Sequence, residues 1–177
     1  MTMICFDIGD ARFNYRVAGI ALRDNHVLLN RVGGEDYWVL PGGRVNMGET
    51  SIDTLQREMQ EEVQEDVQVG QLLWVVESFV GNVESKNYHV LGLYFLMDLT
   101  PESLVSRTTE PFAAMDGHIP LTFQWFSLEE LDQVTLYPPF LVEACGIYLS
   151  RQCICWIVDS KAIVEDCMPF PYYQSPP

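Results

Sequence analysis

Cations are scarce in this sequence: 10 Lys+Arg stand against 25 Asp+Glu, for a formal net charge of -15. A nucleic-acid backbone is held by clustered positive charge, so the balance argues against long DNA or RNA as a partner. A small phosphorylated molecule remains compatible, because divalent cations held by carboxylates reverse the local sign of an acidic site. Long apolar runs are also missing. None approaches the roughly 20 residues of a membrane span, and Met1 to Asp7 shows neither the basic nor the apolar stretch of a secretory leader. The five cysteines, Cys5, Cys145, Cys153, Cys155 and Cys167, form an odd set with no second pair at zinc-ligand spacing. Reduced thiols and a cytoplasmic location are the expectation, with no membrane partner.

Hydrophobic residues make up 48% and charged residues 20% of the 177 positions, which places the chain among folded globular proteins rather than disordered ones. The length suits one domain with a real core, taken as residues 1–167. Residues 168–177 form a Pro- and Tyr-rich tail whose four prolines preclude regular structure. Such a tail lends itself to recognition as an extended segment. No internal repeat or low-complexity tract is present.

Apolar and β-branched runs predict strands at Tyr15 to Leu22, Val27 to Arg31, Tyr37 to Leu40, Leu72 to Val80, Tyr88 to Leu96 and Phe123 to Phe126. Asp24 and Asn25 suit a hairpin turn, so the first two runs are expected to pair antiparallel. Ile52, Leu55, Met59 and Val63 recur at helical spacing, predicting an amphipathic helix over 52–64 with Thr50 or Ser51 as its cap. A polar stretch from Thr100 to Pro120 reads as a long surface loop. Ser127 caps a short helix at Leu128, Pro138-Pro139 opens another through about Leu149, and Cys153 to Val158 is a strand or a helix continuation.

The 52–64 helix carries Glu58, Glu61 and Glu62, which spacing puts on one face within a single turn. Like charges so close destabilise a bare helix. A solvated acidic face is one reading, and hard divalent cations ligated by oxygen are the other. The surroundings favour the second: Trp38-Val-Leu-Pro-Gly-Gly43 precedes the helix, and a Gly-Gly turn lets the backbone approach a ligand closely.

Gly43, Glu49, Arg57, Glu58, Met59, Glu61 and Glu62 resemble the Nudix box, Gly-x5-Glu-x7-Arg-Glu-U-x-Glu-Glu-x-Gly-U with U aliphatic, at seven of nine specified positions. Gln64 and Glu65 depart from its closing glycine and aliphatic residue. Either Gln64 adopts a left-handed backbone, or the helix runs on and the exit strand near Val67 to Val69 shifts. The resemblance implies an α/β fold, the α/β/α sandwich around a central mixed sheet. It also implies a Mg2+- or Mn2+-dependent pyrophosphohydrolase acting on a nucleoside diphosphate linked to another moiety. On this reading Glu58, Glu61 and Glu62, with the Gly43 carbonyl, hold the metal, and Arg57 orients the carboxylates. The catalytic base comes from Glu61 on the helix or Glu110 on the long loop. Arg31, Glu49, Trp38 and Phe79 are the candidate substrate-binding residues, and a homodimer is left open. Two other readings share the fold: a non-catalytic nucleotide-binding sensor, and an isoprenyl diphosphate isomerase, for which Cys5 is a poor reactive cysteine.

Overall fold

A computed structural model describes residues 2–83, 86–145 and 155–159. Ten strands, β1 (Cys5–Ile8), β2 (Ala11–Ile20), β3 (Leu22–Arg23), β4 (His26–Val32), β5 (Gly42–Arg44), β6 (Val67–Val83), β7 (Lys86–Leu99), β8 (Phe112–Asp116), β9 (Ile119–Ser127) and β10 (Cys155–Asp159), surround helix α1 (Ser51–Val63), a one-turn helix α2 (Leu104–Arg107) and a 3-10 helix (Leu128–Gln133). A mixed sheet runs β1-β2-β7-β6-β10 with β5 added on β2, and a second, antiparallel sheet runs β3-β4-β9-β8. The architecture is the expected α/β/α sandwich. One apolar cluster lies under α1 around Leu55, Met59, Val17 and Phe123. A second lies under the helical turn at 141–145, around Leu141, Trp74, Leu29 and Ile20.

Helix α1 starts where the caps dictate. Thr50 accepts from the Asp53 amide at 3.1 Å, and the Asp53 carboxylate accepts in return from the Thr50 amide at 3.3 Å, a closed capping box. Leu55 and Met59 are fully buried, whereas Ile52 stands at the rim, 42% exposed. At the other end Gln64 takes the left-handed conformation, φ 59°, and its amide bonds back to Gln60. Of the two exits the sequence allows, the helix therefore stops on time, and the exit strand is the start of β6.

Several expectations need correction. The Asp24-Asn25 turn is present, with φ 47° and 62°, but it joins only β3 to β4. The long strand β2 pairs with β7 in the other sheet, because the chain leaves β2 at Ala21 and enters the smaller sheet. Residues 37–40 make only isolated bridges, Asn30 to Val39 and Trp38 to Leu136, and are no strand. The 100–120 stretch is not a plain loop: it holds α2 and β8. Val105 is buried, Trp125 Nε1 donates to the Val105 carbonyl at 3.0 Å, and Arg23 lies over Trp125 while donating to the carbonyls of Ser106 and Thr108. Those three fastenings come from β3 and β9, distant in sequence. Strand β1 was not foreseen. Cys155–Asp159 is a strand, parallel to β6. The end of the 138–149 helix, Cys153, Cys167 and the tail lie outside the described residues.

Candidate active site

The Gly-Gly turn sets the site's geometry. Strand β5 pairs with β2 so that Val17 faces Gly43 and Ala18 faces Gly42. Gly42 has φ 144°, and a Cβ there would run into the Val17 carbonyl; a Cβ on Gly43 would overlap the carboxylate of Glu58. Only two glycines let the loop pass under the helix with an acid resting on its backbone.

Arg57 organises the acids around it. Its Nε donates to Glu49 Oε1 at 2.8 Å and its Nη2 to Glu49 Oε2 at 3.2 Å, while Nη1 reaches Glu58 at 2.9 Å and Glu61 at 3.0 Å. Nη2 also meets the Arg44 carbonyl at 3.4 Å, tying the helix to β5. Glu49 further accepts from Thr54 Oγ1 at 3.0 Å and Asn46 Nδ2 at 3.1 Å. The guanidinium first, and these hydrogen bonds with it, hold the Glu49 carboxyl down at about 2. Glu49 is thus a structural anion that fixes Arg57, and Arg57 in turn fixes Glu58 and Glu61.

Glu62 is different. It is 8% exposed, and its Oε2 is buried with no hydrogen-bond partner among the described residues. Burial, then the charges of Glu58 and Asp116, push its carboxyl up to about 8; Glu58 is also raised, chiefly by burial. Asp116 closes β8, and its charge acts on both glutamates. Sequence spacing gave no sign of it, since Asp116 reaches the cluster only through the β8–β9 pairing. Among the described residues no three acidic, His or Cys side chains enclose a point that a cation would occupy as they stand. Glu58 and Glu61 are instead turned to Arg57. The donor set nonetheless fits a hard divalent cation: all oxygen, clustered, one atom orphaned in the interior, beside backbone that a side chain would block.

The other candidates scatter. Trp38 is buried in the core against Phe126, with the Arg31 guanidinium stacked over it 4.7 Å from the ring centre. Phe79 is 54% exposed and packs on His89, 4.6 Å away. Glu110 is exposed on the bend before β8 and makes no hydrogen bond among the described residues. Beside Glu61 and Glu62 an open cavity of about 460 Å³ is walled by Leu104, Val105, Phe112 and Ala114. The chain's own departure at Glu65 serves this wall: its carboxylate accepts from the amides of Leu104, at 2.9 Å, and Val105, at 3.4 Å, at the start of α2.

Known proteins resemble this chain in sequence and in fold. "Putative ADP-ribose pyrophosphatase YjhB" of Bacillus subtilis (strain 168) is 29% identical over 84 residues, a match spanning 48% of this chain and 40% of that protein. Among solved structures, a UDP-X diphosphatase superposes with a TM-score of 0.61 at 19% identity, covering 87% of this chain and 70% of that one. A Nudix hydrolase from Nitrosomonas europaea gives 0.58 at 20% identity over 77% and 88%, and a MutT protein from Bacillus halodurans 0.54 at 16% over 82% and 88%. At such identities these likenesses speak for the fold. The NUDIX domain family matches residues 13–143, nearly three-quarters of the sequence, and the chain belongs to that family.

Proposed function

We propose that this chain is a hydrolase that cleaves the diphosphate of a nucleoside diphosphate linked to another group, with Mg2+ or Mn2+ as cofactor. The observation that carries the reading is Glu62: a buried carboxylate with an orphaned oxygen, crowded by Glu58 and Asp116, is costly unless a cation is its partner. Glu58, Glu61 and Glu62, with the backbone of Gly43, are the residues to hold it. When bound, such a cation supplies a Lewis acid for the phosphoryl oxygens and lowers the pKa of water.

The protein's own residues do the rest. Arg57, locked by Glu49, keeps Glu58 and Glu61 oriented. A base must take the proton of the attacking water at a carboxylate oxygen, and Glu61, Asp116 and Glu110 are the candidates. Asp116 is favoured because its charge already acts on the cluster. The apolar wall of Leu104, Val105 and Phe112 offers a place for a non-phosphate part of the substrate. Arg31, Trp38 and Phe79 remain proposed substrate contacts. The names of the Bacillus subtilis relative and of the UDP-X diphosphatase support a nucleoside diphosphate class, and ADP-ribose is the first compound to test. A cytoplasmic setting belongs to the same proposal, resting on the free thiols of Cys5 and Cys145. Gln64 holds the left-handed geometry that the family's glycine would supply, so its presence gives no support to a non-catalytic sensor.

The test is hydrolysis of ADP-ribose, nucleotide sugars, nucleoside triphosphates and dinucleoside polyphosphates with Mg2+ or Mn2+, alongside Glu58→Gln and Glu62→Gln. Cleavage that needs metal and drops at least ~100-fold in both variants is expected. Binding without cleavage, indifferent to metal, would overturn the proposal.

A further inference from the structure

Arg16 and Arg44 stand directly opposite one another on β2 and β5. Directly opposed residues of an antiparallel pair share a face with Cβ atoms about 5 Å apart, and like charges there destabilise the pair. Neither has a carboxylate to relieve this. Among the described residues Arg16 makes no side-chain hydrogen bond or ion pair, and Arg44 reaches only the Met3 sulfur, at 3.8 Å, with its Nε buried and unpartnered. The contrast with the other cations is sharp. Arg12 and Lys86 bind Asp7, Arg57 binds three glutamates, Arg23 and Arg107 donate to carbonyls, and Arg31 lies over the Trp38 ring. In a chain with a 15-charge excess of acids, two facing arginines without an anion are a cost that a bound anion would remove.

Their place says which anion. Arg44 follows Gly43, whose backbone carries the Glu58 carboxylate, and Arg16 precedes Val17, the partner of Gly43. Alternation along a strand turns the two arginines to the face opposite the one Gly43 shows to Glu58. The acids and the cations thus flank the same turn. The charge of Arg16 is felt both at Glu62 and at the Tyr37 hydroxyl, and Tyr37 pairs with Tyr137, ring centres 5.8 Å apart. We propose that Arg16, with Arg44 beside it, grips a phosphate of the diphosphate substrate at the Gly42-Gly43 turn, across from the carboxylates. A planar guanidinium pairs with phosphate oxygens two at a time, so it orients the group as well as attracting it. These are positioning residues for substrate, and the assignment rests on the hydrolase reading above.

Methylenediphosphonate, which the enzyme cannot cleave at its P–C–P link, tests this by calorimetry with Mg2+ present, on the wild-type protein and on Arg16→Ala, Arg16→Lys and Arg44→Ala. Loss of Arg16 should weaken binding about 10- to 100-fold and Arg44→Ala less, with Lys recovering part of the loss, as for a charge-assisted contact. Mn2+ affinity without ligand, read by electron paramagnetic resonance, should change far less than ligand affinity, because Arg16 donates to no carboxylate among the described residues and acts on Glu62 only through its charge. With a cleaved substrate KM should rise more than kcat falls. Should Arg16→Ala fold poorly, Arg16→Gln keeps length and polarity without the charge. Relief of the facing charges should leave its Tm equal or higher, which a structural role would not. If wild type binds methylenediphosphonate and Arg16→Gln binds it equally, this assignment is overturned and the hydrolase reading stands. If wild type neither binds it with metal present nor cleaves any nucleoside diphosphate derivative, the hydrolase reading falls and takes this assignment with it; if it cleaves them and Arg16→Gln leaves KM unchanged, only this assignment falls.

Discussion

The Arg57 guanidinium meets the Glu49 carboxylate edge to edge, two nitrogens on two oxygens at 2.8 and 3.2 Å, with the arginine side chain 20% and the glutamate 15% exposed. The fork leaves Nη1 free to hold Glu58 and Glu61. A lysine offers a point charge in place of this planar pair. Arg57→Lys and Glu49→Gln should therefore each cost about 10- to 100-fold in activity or metal affinity, the usual effect of losing a group that orients a ligand. Steady-state kinetics against Mg2+ concentration measures both, and undiminished activity in either variant would remove the orienting role.

Glu62 gives stability a dependence on pH in the cation-free protein. Its carboxyl titrates near 4.5 when unperturbed and is pushed up to about 8 in the fold by burial, then by Glu58 and Asp116. Between those values the folded chain holds a proton that the unfolded chain has lost. The stabilisation is complete below the lower value and is lost as pH rises through the upper one, at about 1.4 kcal/mol per pH unit for one whole proton. Glu62→Gln should remove this slope. Urea unfolding in chelator across that range reads it, and parallel wild-type and variant curves would refute it.

Gly42 and Gly43 should answer differently to the same change. An alanine at 42 meets backbone, the Val17 carbonyl, at a φ that L-residues rarely adopt, so Gly42→Ala should destabilise by roughly 2 kcal/mol or more. At 43 the obstacle is the end of a flexible side chain, the Glu58 carboxylate, which swings aside. Gly43→Ala should keep its Tm within a few degrees and lose at least ~10-fold in activity. Thermal melts and kinetics on the two variants separate these outcomes.

Asp116→Asn removes an acid that the β8–β9 pairing brings to the helix, whereas Glu110 stands exposed with no partner among the described residues. A loss of about 100-fold in kcat is expected for Asp116→Asn, as for removal of a general base, against little change for Glu110→Gln. The reverse order in kcat would transfer the base to Glu110.

Gln64 lies at φ 59°, where a Cβ costs about 1–2 kcal/mol. Gln64→Gly should stabilise the protein by about 1 kcal/mol or slightly less once the unfolded chain's added freedom is counted, with activity unchanged. A denaturant midpoint that fails to rise would mean the strain is relieved elsewhere.

What the sequence disclosed and what it hid divide along one line. The helix, its cap, the Gly-Gly turn and the acids of 58–62 are written within a short span, where local spacing controls both backbone and chemistry. Asp116 and Arg16 come near the carboxylates of the helix only through strand pairing. The order of α2 and β8 likewise depends on Arg23 and Trp125, remote in the chain. The carboxylates alone could not reveal that Glu49 is bound to Arg57, since that follows from the distance across a loop.

The nine-position pattern fails in this chain at residues 64 and 65, yet Glu65 spans from the exit of the acidic helix to the two leading amides of α2. The misfit is a tether. Motion of the α2 segment and the orientation of the helix that bears Glu61 and Glu62 are mechanically joined through one carboxylate. An aliphatic residue there would match the pattern better while leaving α2 fastened by Trp125 and Arg23 but without this tie to the helix that bears the acids.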